Sequence, residues 1–162
     1  MLHVSVEWAL VTPAPADDAL EGLIDALADL VRRHRNLTVR VSRESGLPAS
    51  QVAVLASLCR LGESRIAEVA EDLLVDPSVI SRHISPLEQD GSIERRQDPA
   101  DARAALVRLT PRGHEALAEV RRLRRRHLES ALADWTEADV VDLTHTLGTV
   151  ARFLDATQGG SR

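Results

Sequence analysis

Two junctions of a capping residue followed by proline, Asp76-Pro77 and Thr110-Pro111, constrain the fold of this chain more than any other feature. An aspartate or threonine oxygen can accept a hydrogen bond from the first free N–H groups of a helix. Proline suits the first helical position, where its missing N–H would have had no partner. A helix therefore opens at each junction. The first runs through Gln89 to a stop at Gly91, where the helical period is lost. Ile93 to Gln97 and Ala105 to Leu109 then read as two strands around the turn-rich QDPADAR, which makes a hairpin.

Upstream, the acids Asp17 and Asp18 suit a helix start, and apolar residues recur at Leu20, Leu23, Ile24, Leu27, Leu30, Val31, Leu37 and Val41. That spacing predicts one long amphipathic helix ending near Gly46. His34 falls in the same stripe and reads as a partly buried packing residue, since no metal-ligating partner lies at i+3 or i+4. A second helix is expected from Pro48, at its first position, through Val52, Leu55 and Leu58 to Gly62, with Cys59 as a small buried hydrophobe. Ile66 to Leu73 predicts two helical turns, and Leu74 to Asp76 a tight turn into the helix at Pro77. Two short helices joined this way form a helix-turn-helix.

Beyond the hairpin, the helix from Pro111 carries a stripe through Ala116, Val120, Leu123, His127 or Leu128, Ala131 and Trp135. A last helix opens at Thr136, which forms a capping box with Asp139, and its apolar positions are Val140, Leu143, Leu147, Val150 and Leu154. The expected fold is mainly α with a small β-hairpin wing: a winged helix-turn-helix plus a helical dimerisation layer. Residues 1–46 form an arm and long helix for dimerisation, 47–113 the DNA-binding lobe, 114–157 further dimerisation helices, and 158–162 a disordered tail. The first, fifth and last stripes are too extensive for one copy to bury, so a homodimer is expected.

Composition matters mainly through the placement of charge. Every basic residue is arginine, and the net charge is −5. Residues 1–75 hold 7 Arg against 11 acids, 76–126 hold 11 against 8, and 127–162 hold 2 against 6, giving −4, +3 and −4. The middle alone is basic, which is compatible with nucleic acid despite the acidic total. With Cys59 alone, no intrachain disulfide can form, and Met1 to Val11 has no secretory pattern, so a cytoplasmic protein is expected. No apolar run approaches the ~20 residues of a membrane span.

In a helix, helix, strand, strand unit the second helix enters the major groove and the hairpin lies over the neighbouring backbone or minor groove. Here Val79, Ile80, Ile84 and Leu87 form the inward face of that helix. Ser78, Ser81, Arg82, His83, Ser85 and Gln89 remain for the outer one. Arg82 can fork to guanine or phosphate, and short serines allow close approach. The hairpin adds Arg95, Arg96, Arg103 and Arg108. Arg103, near the turn, can reach a minor groove, with Asp101 supporting it rather than touching DNA.

The run from Ser64 to Gly113, with SVISR, Leu87 and Gly91, then ERR, then Asp101-x-Arg103, then LTPRG, resembles the core of the MarR family of bacterial regulators. The resemblance implies a triangular homodimer with intertwined first and last helices, a pseudopalindromic DNA site, and a pocket between the dimer layer and the DNA-binding lobe open to a small-molecule effector. Four positions depart from the family pattern. Leu74 replaces a turn Gly or Asn, Ser92 replaces an apolar residue, and Ala102 replaces a basic wing residue. Pro86 lies inside the recognition helix, where a kink is expected. The basic run Arg121 to Arg126 reads as a solvated face paired with acids of other helices.

An enzyme is disfavoured: no nucleophile has a neighbouring base, and no glycine-rich phosphate loop occurs. Scattered histidines and an unpartnered cysteine give neither a metal nor a redox centre, and no cofactor is expected. The competing reading is a degenerate winged helix that binds a protein partner without DNA.

Overall fold

The computed structural model describes residues 17–101 and 104–158. Helix α1 (Asp17–Ser45) leads into α2 (Ala49–Leu61), the short strand β1 (Ser64–Arg65), α3 (Ile66–Asp72) and α4 (Pro77–Gln89). The hairpin β2 (Ile93–Gln97) and β3 (Ala105–Leu109) follows, then α5 (Pro111–Ala131) and α6 (Glu137–Gln158). Both hairpin strands match their expected ranges. The sheet is antiparallel in the order β1-β3-β2, with Ser64 opposite Val107 and Arg95 opposite Val107 on its other side. β1 was not expected from sequence, because two residues carry no readable alternation.

The core belongs to the central lobe. Leu55, Leu58, Val69, Ile80, Ile84 and Leu87 from α2, α3 and α4 close on Ile93, Val107 and Val120, all at most 2% exposed. With so few aromatics, this packing is aliphatic interdigitation, in which each fully buried Leu or Ile contributes roughly 1.5–3 kcal/mol. Gly91, at φ +78°, turns the chain out of α4 in a left-handed conformation that a side chain would strain. Pro48 stands one residue before its expected place, as the residue capping α2.

α4 runs unbroken through Pro86, whose carbonyl accepts the Asp90 N–H at 3.0 Å. Proline here lies one turn from the helix end on the exposed side, where water can serve the Arg82 carbonyl that lost its donor. His34 is exposed instead of partly buried.

Beyond the lobe, the stripes are intact but uncovered. Of α1 only Val41 is buried, while Leu20, Leu23, Ile24, Leu30 and Val31 face outward. α6 buries no residue among those described, and Val140, Leu143, Leu147 and Leu154 are each at least 38% exposed. Trp135, expected to continue the α5 stripe, lies past the helix and is exposed. No helix among the described residues is long and apolar enough to cross a membrane.

Candidate nucleic-acid interface

Asp76 opens α4 by accepting the Ser78 N–H at 2.7 Å. Hydrogen bonds from Ser78, and then the Arg82 charge, hold this carboxyl below the usual aspartate range. Ile80, Ile84 and Leu87 anchor the helix to the core, and Val79 is half-buried beside them. The opposite face presents Ser78, Arg82, Ser85 and Gln89 exposed, with Ser81 and His83 half-buried. Ser81 Oγ donates to the Pro77 carbonyl at 3.0 Å and Ser85 Oγ to the Ser81 carbonyl at 3.2 Å. Both hydroxyls therefore fold back along the helix and leave a low surface, above which Arg82 stands. Arg82 enters no ion pair among the described residues.

The wing arginines are differently placed. Arg95 pairs with Glu88 of α4 at 3.4 Å, Arg96 grips Glu63 through Nε and Nη2, and Arg108 pairs with Glu94. The Arg96 guanidinium holds the Glu63 carboxyl below its ordinary value, and the carboxylate raises Arg96 in turn. Arg103 and Ala102 lie outside the described residues. Asp101 is exposed, its N–H donates to the Asp98 carbonyl at 3.3 Å, and its carbonyl accepts the Ala104 N–H at 2.9 Å.

Sequence reasoning missed Asp98. Its side chain is 7% exposed, accepts the Ala100 N–H at 2.8 Å, and receives Arg65 Nε at 2.7 Å and Nη2 at 2.6 Å. The Ala100 N–H first, and the Arg65 guanidinium second, keep this carboxyl below the usual range. The available signal was Asp98-Pro99, an aspartate placed to bond the N–H two residues on. Arg65 gave none, since its partner is 33 residues away.

At the wing base, Thr110 Oγ1 accepts the Gly113 N–H at 3.2 Å and donates to the Gly91 carbonyl at 2.6 Å. The Thr110 N–H meets the Ser92 carbonyl at 3.1 Å. The end of the recognition helix, the wing and the start of α5 are thus one joint. Farther along α5, Arg122 pairs with Glu119 and Arg125 with Glu129. Both acids are on the same helix, not on other helices as expected, because i±3 and i±4 neighbours are always within reach. His127 Nε2 meets Glu44 of α1 at 2.9 Å.

The model of the MarR family matches residues 47–105, the lobe that carries this geometry. Over 110 residues the chain is 31% identical to YxaD, an uncharacterized HTH-type transcriptional regulator of Bacillus subtilis strain 168, covering 68% of this chain and 77% of YxaD. The chain belongs to the MarR family. MdtR, an HTH-type transcriptional repressor of the same Bacillus strain, is 26% identical over 143 residues, which cover 88% of this chain and 92% of MdtR. The solved structure of Bordetella bronchiseptica BpsR, described as regulated in its DNA binding by 6-hydroxynicotinic acid, superposes with a TM-score of 0.60 at 25% identity. That match spans 78% of this chain and 98% of BpsR. The MarR winged-helix fold accounts for the helix order, the wing and the long α5 together, and members of this family are transcription regulators.

Proposed function

We propose that this MarR-family chain is a cytoplasmic repressor that binds a pseudopalindromic duplex as a homodimer. The observation that carries the reading is Arg82: exposed on the outer face of α4, without an ion-pair partner among the described residues, above a floor of short serines. α4 enters the major groove with Arg82 forked to a base edge. Ser78, Ser81, His83 and Ser85 line the approach, and Arg95, Arg96 and Arg103 face the flanking backbone and minor groove. The uncovered faces of α1 and α6 form the layer between two copies, which sets the half-sites about one helical turn of DNA apart. A cleft of about 320 Å³ between the end of α1, the α4–β2 turn and the start of α5, lined by Ser45, Leu47, Asp90 and Arg112, is where a small effector fits.

Arg82→Ala tests the reading. A base contact predicts a loss of roughly 1–3 kcal/mol on the specific duplex and relaxed sequence preference. Equal weakening on specific and random DNA reassigns Arg82 to phosphate. A second reading, an interaction module without DNA affinity, draws support from the acids that occupy Arg95, Arg96 and Arg108. A salt series decides between them, because only a DNA binder loses duplex affinity steeply as salt rises.

A further inference from the structure

Two ion pairs leave one short segment and end on one wing strand and the turn that follows it. Glu63 and Arg65 flank Ser64; Glu63 takes Arg96 of β2, and Arg65 takes Asp98 just beyond it. Acid and base alternate on both sides, so a slip of either segment would set like charges together. The backbone alone ties these parts weakly, since β1 contributes only the pairings Ser64 with Val107 and Arg65 with Leu106.

Asp98 and Arg65 each do two things. The Asp98 carboxylate, 7% exposed, shapes the wing turn through the Ala100 N–H and at the same time receives two nitrogens of Arg65. Arg65 stands just before α3, where its N–H donates to Glu68 Oε2 at 2.6 Å. One arginine therefore begins the first helix of the helix-turn-helix and holds the root of the wing turn. Both Arg65 nitrogens converge on Oδ2 while the Ala100 N–H holds Oδ1, so this buried carboxylate is fixed in direction as well as distance, which exposed pairs seldom are.

We infer that Arg65 and Asp98 are positioning residues for DNA recognition, fixing the root of the β2–β3 hairpin against the start of α3, the helix packed on α4, so that wing and recognition helix meet one duplex in register. The inference rests on the DNA reading proposed above, but neither residue has to touch DNA. Charge and positioning then make opposite predictions for Asp98. Removing an acid near phosphate tightens binding if only the field matters, and weakens it if the hairpin loses its aim.

The experiment uses the full-length protein, Arg65→Met, Asp98→Asn and the double variant, titrated by fluorescence anisotropy at several salt concentrations. The probe is a labelled duplex from the region upstream of the protein's own gene. Each single change is expected to weaken binding roughly three- to thirtyfold, the double to be no weaker than the worse single, and the salt slope to stay put. Tighter binding by Asp98→Asn, additive effects, or an Arg65→Met slope reduced by about one would overturn the inference, the last by making Arg65 a phosphate contact.

Hydrogen exchange on the DNA-free protein supplies an independent arm. The amides of Asp98, Asp101 and Ala104, bonded across the wing turn, should exchange faster in Arg65→Met while those of α2 do not change. Unchanged wing exchange overturns the clamp whatever DNA does. If the wild type binds no duplex at low salt, the DNA reading and the recognition role fall together, and exchange alone still reports whether the clamp exists.

Discussion

Gly113→Ala is a substitution for which helix propensity and this structure disagree in sign. Gly113 is the third residue of α5, and alanine at a helix position is ordinarily worth up to about 1 kcal/mol over glycine. Here the added methyl would stand 2.2 Å from the Ser92 carbonyl oxygen, 3.1 Å from its carbon and 3.2 Å from Leu109 Cδ2. The obstacle is backbone of a buried residue, and the same oxygen accepts the Thr110 N–H. It must retreat by about 1 Å, which sacrifices much of a hydrogen bond worth about 0.5–1.5 kcal/mol and adds overpacking of about 1–3 kcal/mol. Set against the propensity gain, the net is a loss of about 1–3 kcal/mol. Urea unfolding at one fixed protein concentration reads this as a midpoint lowered by about 1 M, with m near 1–3 kcal/mol/M. A midpoint that rises, or that moves by less than about 0.5 kcal/mol equivalent, refutes the close approach of α5 to the α4–β2 turn.

Three further outcomes are expected. Leu74 holds φ +54° and is 81% exposed, so Leu74→Gly relieves about 1–2 kcal/mol of left-handed strain against about 0.5–1 kcal/mol of added unfolded-chain entropy. A urea midpoint that falls in this variant would show that the leucine makes contacts of value. Light scattering should give about 35 kDa for the wild type, twice the 17.7 kDa chain, and a lower mass for Leu147→Glu in the uncovered α6 stripe; a wild-type mass of one chain rejects the dimer. The carboxyls of Asp76 and Asp98 both titrate below the ordinary aspartate value, so their stabilisation is full above that value, about 3.9, and is lost as pH falls through the folded values. Urea midpoints between about pH 5 and 2.5 should fall at the acid end, and Asp98→Asn should flatten the fall; an unchanged slope in that variant removes Asp98 from the account.

Local chemistry was legible wherever a residue acts on its neighbours. Asp76-Pro77 and Thr110-Pro111 cap the helices they announce, and the Thr136–Asp139 box forms with Asp139 Oδ2 receiving the Thr136 N–H at 2.9 Å. Interactions that join distant segments were not legible. Arg95 and Arg96 looked like open cations because nothing in their vicinity along the chain names Glu88 and Glu63 as partners. Asp101 draws attention in the sequence through its closeness to Arg103, whereas only folding shows that Asp98 is the carboxylate the turn buries. Pro86 sits where the rule against interior proline has least force, because that rule assumes a helix that continues well beyond it, and α4 ends at Gln89.

The joint at Thr110 gives α5 a mechanical meaning. Its 21 residues span about 31 Å without a break, one end bolted through Thr110 to Gly91 and Ser92 beside the recognition helix and the other leading through residues 132–136 into α6. Such a rod is a lever: a tilt of about 5° at the α6 end displaces the wing root by roughly 3 Å, close to the rise of one base pair. A small tilt in the helical layer would thus shift the wing root by most of one base-pair step. Because Gly113 leaves no slack at the bolt, little of that motion would be absorbed before it reached the reading head.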